Sequence, residues 1–262
     1  MKVHVTGNEP LQPLRSLRAP AGLAPAVLRT LGIGCAYAPY QTLLGNVFVA
    51  WSTRGIMVID REDSAGEFEA RFVRRTGHRP RRADALPHEV ERELAAALND
   101  RNRGRNVDLS GVGNFERAVL LKTLEIPRGE VRTYAWVAKE IGTPRAVRAV
   151  GGALAANPVP IVIPCHRVVR SDGRIGEYGC GGPDAKRRIL AAEGAEPERL
   201  EALGRKGIRF VGSDTTHSFC LPSCRSARRI SDHHRVTFRS EAEARLAGYR
   251  PCSLCRPAGA AA

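Results

Sequence analysis

The residues with the most chemical content stand at Ile163-Pro164-Cys165-His166-Arg167-Val168-Val169, a cysteine between a proline and a histidine inside an apolar run. A free thiol has a pKa of about 8.5, so only a small fraction is thiolate at neutral pH. A neighbouring base or cation lowers that value and turns the sulfur into a nucleophile. His166 is the adjacent base. Consecutive side chains point apart, so the proton path from Cys165 to His166 calls for a bridging water or a local turn. A carboxylate behind the histidine would set its tautomer, which is the logic of a triad; Glu193 is the candidate. Without its flanks, a cysteine in an apolar run reads as core packing.

Four further cysteines, Cys220-x3-Cys224 and Cys252-x2-Cys255, are spaced as two pairs of ligands. Four soft thiolates suit tetrahedral Zn2+. The stretch that carries them has too little apolar content for a core of its own, so metal binding would contribute to its folding. The plain alternative is a purely structural knuckle. His217, His233 and His234 are rival ligands, better read as surface or DNA-contacting groups. Cys180, in a glycine-rich run, could sit near the Cys165 site but reads better as an ordinary loop residue.

The elements that must position these groups follow from pattern. Residues 1–30 are rich in Pro, Leu and Arg and form an extension. Strands are expected at Leu31–Tyr37, Val47–Trp51 and Gly55–Asp60, separated by turns. Helices are expected at Phe68–Arg75 and Pro87–Leu98, which makes this part a small α+β unit. A charged linker, Arg101–Asn106, follows. Asn114–Leu124 is helical, with Phe115, Val119, Leu120 and Leu124 on one face. Thr133 caps a short helix ending at Ile141; Gly142-Thr143-Pro144 turns the chain; Arg145–Ala156 is a second helix. Helix, short turn, helix is the layout of a helix-turn-helix, and the small residues of its second helix would let a backbone approach DNA closely. Close packing in a core explains the same residues. Gly173–Gly182 is a loop, Asp184–Glu193 the next helix, and Pro197–Lys206 a short polar connection.

The 262 residues carry a formal charge of +14 with a pI near 10.2. Such a surface favours polyanions, and its excess of arginine suits bidentate phosphate and base contacts. A GC-rich genome would explain the arginine excess over lysine, but less of the net charge. No apolar run approaches the length of a membrane span. Met1–Pro20 has no continuous apolar segment, so no signal peptide is expected. Clustered cysteines without an export signal point to a reducing cytoplasm and not to disulfides.

The stretch from Phe115 to Gly194 closely resembles the O6-alkylguanine-DNA alkyltransferases. The matching elements, in order, are Ile126-Pro127-x-Gly129, Thr133-Tyr134, Pro144-x-Ala146-x-Arg148-Ala149-Val150-Gly151, Asn157-Pro158, Pro164-Cys165-His166-Arg167-Val168-Val169, Gly173, Gly176-x-Tyr178, Lys186 and Glu193-Gly194. The resemblance implies a suicide methyltransferase that acts on flipped-out bases of double-stranded alkylated DNA. Cys165 would be the alkyl acceptor, His166 its base through water, and Glu193 the support of that base. Tyr134 would help turn the nucleotide out and donate to the departing guanine. Asn157 would be the hinge between the recognition helix and the cysteine. Arg148 would fill the vacated stack, with Thr133, Ala149, Gly151 and Arg167 as further DNA contacts. The backbone near Tyr178 and Gly179 would bind the base. The loop Tyr178–Gly182 is one residue longer than in the best-known members.

Residues Val211–Pro257 resemble the Ada-type metal-binding domain, through Cys220-x-Pro222-Ser223-Cys224, Ala227-Arg228-Arg229 and Tyr249-Arg250-Pro251-Cys252-x-x-Cys255-Arg256-Pro257. That implies a second acceptor, Cys220, for methyl groups of DNA methylphosphotriesters, with Zn2+ held by Cys220, Cys224, Cys252 and Cys255. Arg225, Arg228, Arg229, Arg235 and Arg250 would face phosphates.

The expected organisation is α+β throughout. It comprises an extension (1–30), a small RNase H-like α+β domain (31–106), a helical catalytic domain with a helix-turn-helix (107–197), a linker (198–208), a zinc-bound α+β module (209–257) and a tail (258–262). The chain is expected to be monomeric, cytoplasmic and nucleoid-associated, with no membrane partner. Two alternatives stay open: a single-activity alkyltransferase whose zinc module only docks on DNA, and a damage-responsive regulator.

Overall fold

The structure, a computed structural model, describes residues 34–99 and 106–257 together with Val27. The rest of the expected extension, the start of the first expected strand, most of the charged linker and the tail lie outside the described residues. Among the described residues no helix is long and apolar enough to cross a membrane.

The chain begins with an antiparallel meander of β1 (Ala36–Thr42), β2 (Gly45–Ser52) and β3 (Gly55–Asp60). The first strand lies later than expected. It runs through Thr42, and the turn shrinks to Leu43-Leu44, where the Thr42 hydroxyl accepts from Leu44 N at 3.1 Å and donates to Gly45 O at 2.8 Å. Helix α1 (Ala65–Thr76) is capped by Ser64, whose hydroxyl accepts from Glu67 N at 3.2 Å, and ends on the left-handed Gly77. β4 (Arg81–Arg82) pairs parallel with β1, giving the order β3-β2-β1-β4.

Alternation along β2 divides this sheet between two cores. Phe48 and Ala50 pack with Phe68 and Phe72 of α1, while Val47 and Val49 face a larger core shared with the helices that follow. Helix α2 (His88–Leu98) comes next. The chain then returns to the β3 edge, where Ile56 N donates to Asn106 O and Asp108 N to Ile56 O, both at 2.8 Å. Gly55 is required there: it has φ +123°, and a Cβ would lie 2.0 Å from Asn106 O.

The helical part contains α3 (Asn114–Leu124), β5 (Arg132–Thr133), α4 (Tyr134–Glu140), α5 (Val147–Ala155), β6 (Val168–Val169) and α6 (Gly182–Ala192). Thr133 caps α4 as expected, its hydroxyl accepting from Trp136 N at 3.1 Å. Parallel pairing of β5 with β6 brings the start of α4 beside the end of the Cys165 turn. The segment expected to be a polar connection is instead a helix, α7 (Pro197–Arg205), started by proline at its first position.

The last part is a four-stranded sheet of β7 (Phe210–Ser213), β8 (Ser218–Cys220), β9 (Arg235–Phe238) and β10 (Arg250–Pro251), in the order β10-β8-β7-β9. Two short helices, α8 (Arg225–Arg228) and α9 (Glu241–Leu246), cover it. Its small core of Phe210, Val211, Phe219 and Phe238 includes the cysteines themselves.

Candidate nucleophile and metal centre

Cys165 opens a single 3-10 turn, Cys165–Arg167, between the stiff Pro164 and β6. The approach to it is strained. Ile161 has φ 78°, a left-handed conformation that β-branched residues rarely adopt, at a cost of about 1–3 kcal/mol. Asn157, just beyond α5, ties this segment together. Its Nδ2 donates to Cys165 Sγ at 3.2 Å and to Ile163 O at 3.0 Å, and its Oδ1 accepts from Val159 N at 3.0 Å. The expected hinge asparagine is thus a direct hydrogen-bond partner of the thiol.

His166 is fully buried, and its Nε2 lies 3.1 Å from Glu193 Oε1. Arg167 grips the same carboxylate, with Nε to Oε2 at 2.7 Å and Nη2 to Oε1 at 2.6 Å, and its Nη1 donates to Ile126 O at 2.7 Å. Burial would raise the Glu193 carboxyl, but the hydrogen bonds from His166 and Arg167 outweigh it and hold it at about 2. A carboxylate that stays charged can only accept, so Nε2 carries the proton of the neutral imidazole. Burial keeps the imidazole neutral, pushing its pKa down against the pull of Glu193. Nδ1 is therefore the basic atom, and it is buried without a hydrogen-bond partner.

Arg167 corrects one expectation. At 1% exposure, with its guanidinium enclosed by Glu193 and Ile126, it cannot reach DNA; it locks the carboxylate in place. Burial also pushes the Cys165 thiol up, opposed by the Asn157 hydrogen bond and the charge of Lys186. Lys186 was not among the expected site residues, yet its charge bears on this thiol. It is buried, with Nζ donating to Val168 O at 2.7 Å and Glu177 O at 3.1 Å, and desolvation lowers its pKa to about 8. Its signal was a lysine sharing the buried face of α6 with Ala185, Ile189 and Leu190.

Tyr134 is the first residue of α4, half-buried against the core that contains Cys165. Burial and the nearby sulfur raise its phenol, so it remains a donor. Arg148 and Ala149 lie exposed on α5, opposite the buried Val150, Ala153 and Leu154. Around Gly151 a Cβ would meet nothing within 4 Å, so this face is open to close approach.

Beyond Gly176, Tyr178 is buried with its ring edge-on to His166, 6.0 Å between centroids, while Gly179 is exposed. Cys180 is more than a plain loop residue. With Asn157, Gly179 and Asp60 it lines a cavity of about 30 Å³ that also contains Cys165. Burial pushes its thiol to about 11.

The second centre collects Cys220 at the end of β8, Cys224 ahead of α8, and Cys252 and Cys255 after β10. Their four sulfurs lie within 4.8 Å of one another. A tetrahedral zinc–thiolate site has bonds of about 2.3 Å and so S···S edges of about 3.8 Å, which this cluster fits. Cys255 Sγ also accepts from Leu221 N at 3.4 Å. The histidines are engaged elsewhere: His217 stacks on Tyr249, and His234 Nδ1 meets Asp214 Oδ1 at 2.8 Å. Two of the expected phosphate contacts are also occupied. Arg228 donates to the carbonyls of Ser223, Gly129 and Gly194, and Arg235 to that of Ile230. These bonds tie both side chains to the protein; Arg235 is half-buried, whereas Arg228, like Arg225, Arg229 and Arg250, remains exposed.

Comparison with known proteins agrees with this geometry. Residues 114–195 match the model of the 6-O-methylguanine DNA methyltransferase DNA binding domain, and residues 205–258 match the metal binding domain of Ada. A methylated-DNA–protein-cysteine methyltransferase from Methanosarcina acetivorans is 41% identical over 108 residues, 41% of this chain and 69% of that protein. The chain belongs to the methylated-DNA–protein-cysteine methyltransferase family. This methyltransferase-family chain is also 37% identical over 169 residues, 62% of its length, to the Escherichia coli bifunctional transcriptional activator/DNA repair enzyme Ada, covering 46% of it. The crystal structure of Mycobacterium tuberculosis OGT in complex with DNA aligns with TM-score 0.50 and 27% identity, over 63% of this chain and 99% of that one. The chain spans about half the length of the first curated relatives it matches.

Proposed function

We propose that the chain is a stoichiometric repair protein for alkylated double-stranded DNA. In this reading Cys165 takes the alkyl group from O6 of a guanine turned out of the helix. The observation that carries it is the Asn157–Cys165 and His166–Glu193 arrangement, with the basic Nδ1 of His166 buried and unpartnered.

The thiol proton passes through a water to His166 Nδ1. The sulfur lone pair attacks the alkyl carbon, the C–O6 bond breaks with its electron pair passing to the guanine oxygen, and a hydrogen bond donated by the Tyr134 hydroxyl offsets the developing negative charge. The thioether has no route back, so each molecule acts once. Turning the nucleotide out costs about a few kcal/mol; Arg148 on the exposed face of α5 would fill the gap.

Cys220 is the proposed second acceptor, its sulfur bonding to the methyl carbon of a methylphosphotriester while the C–O bond breaks and leaves an ordinary phosphodiester. Bound Zn2+ would keep all four thiolates deprotonated at neutral pH. A second reading, in which the zinc module only supports and docks, is favoured by the 2% exposure of Cys220. The proposal divides the chain as expected from sequence: an RNase H-like domain to 106, a catalytic domain to 197, and a zinc module from 209.

Peptide mass spectrometry after incubation with DNA carrying both lesions decides between the readings. Two methyl groups on the wild type, one lost in Cys165→Ser and the other in Cys220→Ser, support both transfers. A single methyl on Cys165 leaves the zinc module a structural part, and no transfer to Cys165 overturns the main proposal.

A further inference from the structure

Helix α7 lies between the two stretches that match known families, which end at 195 and resume at 205. It is nevertheless firmly seated. Its Gly204 meets the turn after β6 backbone to backbone: a Cβ on Gly204 would lie 2.8 Å from Asp172 O and 3.0 Å from Gly173 Cα, and one on Gly173 would lie 2.6 Å from Gly204 Cα. Neither position accepts a side chain without the helix moving away. This contact makes α7 one wall of an open cleft of about 1220 Å³. The opposite wall is Tyr134, Arg148 and Gly151, the exposed face of the helix-turn-helix.

The charges in this cleft do not cancel. Arg170 and Arg174 share the single carboxylate of Asp172, at 2.9 and 3.9 Å. Arg187 is held by Glu201 at 3.0 Å. Arg148 and Arg205 are exposed and have no ion-pair partner among the described residues, and Arg209 Nη1 donates only to the carbonyls of Gly204 and Ile208. The cleft is lined by six arginines against the three carboxylates of Asp172, Glu177 and Glu201, so a net positive charge is spread over both walls, at a width held by the glycine contact.

We infer that this cleft seats the sugar-phosphate backbone of duplex DNA next to the site of α5, with α7 as an additional DNA-contacting element through Arg205 and Arg209. The inference rests on the DNA-repair reading for its partner. It enlarges the DNA footprint beyond the helix-turn-helix and explains why the segment joining the modules is a docked helix instead of a loose tether.

The test uses the full chain, zinc-loaded, as wild type, Arg205→Gln and Gly204→Ala. Alkylation of Cys165 by a free O6-alkylguanine base, which needs no DNA, checks that each protein is folded. Binding to an undamaged duplex is then measured across a salt series. Each lost phosphate contact flattens the slope of log K against log salt by ~0.9. Arg205→Gln is expected to lose about one such unit and to weaken binding several-fold at low salt, equally for unrelated sequences. Gly204→Ala is expected to weaken binding in the same way, because it displaces the whole wall. A slope unchanged in Arg205→Gln overturns the inference, as does a wild type that does not bind duplex. If Cys165 does not react with the free base while the Arg205-dependent slope persists, the repair reading fails and the DNA seat stands.

Discussion

The Trp136 indole Nε1 donates to the Cys255 carbonyl at 2.9 Å, joining the helix that begins with Tyr134 to the last ligand of the zinc centre. Around it Ser223 Oγ accepts from Val131 N at 2.9 Å, Arg225 N donates to Glu130 at 3.2 Å, and Arg256 pairs with Glu140 at 2.6 Å. The two centres therefore share a polar, largely buried seam.

Trp136→Phe keeps the ring but removes the donor and leaves the Cys255 carbonyl without it. An orphaned buried acceptor costs about 1–3 kcal/mol. The expected outcome is faster zinc loss to a chelator and a lower melting temperature. Zinc release at the wild-type rate would mean that the seam does not support the centre.

Glu193 holds both His166 and Arg167, so its folded pKa of about 2 lies below its ordinary value of 4.5. A depressed carboxyl contributes stability that is present above the unfolded value and is lost as pH falls through the folded one. The shift corresponds to about 3 kcal/mol. The stability gap between wild type and Glu193→Gln should hold at neutral pH and narrow between pH 4.5 and 2. Chemical denaturation across that range measures it; a gap independent of pH would disprove the linkage.

Lys186 supplies the positive charge that opposes the effect of burial on Cys165. Lys186→Met should slow alkylation of Cys165 by a neutral electrophile about ten-fold near neutral pH and move the midpoint of its pH–rate profile upward. In the wild type, Lys186 itself loses its proton near pH 8, so the benefit fades above that pH. An unchanged profile would leave the lysine a purely structural donor to Val168 and Glu177.

Cys180→Ala removes a sulfur from the wall of the Cys165 cavity. Transfer of bulky alkyl groups should rise relative to methyl by several-fold, read as the ratio of single-turnover rates for benzyl and methyl lesions. A constant ratio would place the substrate elsewhere.

Much of the helical part was legible from local chemistry. Asn114–Leu124 showed its apolar face, Thr133 its cap, and Gly55–Asp60 its strand, because caps, turns and periodicity act over a few residues. Helix α7 was not legible. Its polar residues resemble a linker, and it is held by Gly204 against Gly173, a contact thirty-one residues away in sequence. Arg167 was misread for the same reason: a charged residue is expected at the surface until a buried carboxylate is shown beside it.

The sequence alone singled out the candidate groups: the thiol of Cys165 with His166 beside it, and two cysteine pairs spaced for one metal. Those are properties of residue type and short spacing. Only the tertiary structure decided which nitrogen of His166 faces Glu193 and which is left without a partner, that Lys186 is buried against Val168 and Glu177, and that Trp136 donates to the last cysteine of the metal cluster. Each depends on burial and on partners brought together from distant segments, and charge in a low-dielectric interior is governed by those partners, not by neighbours along the chain.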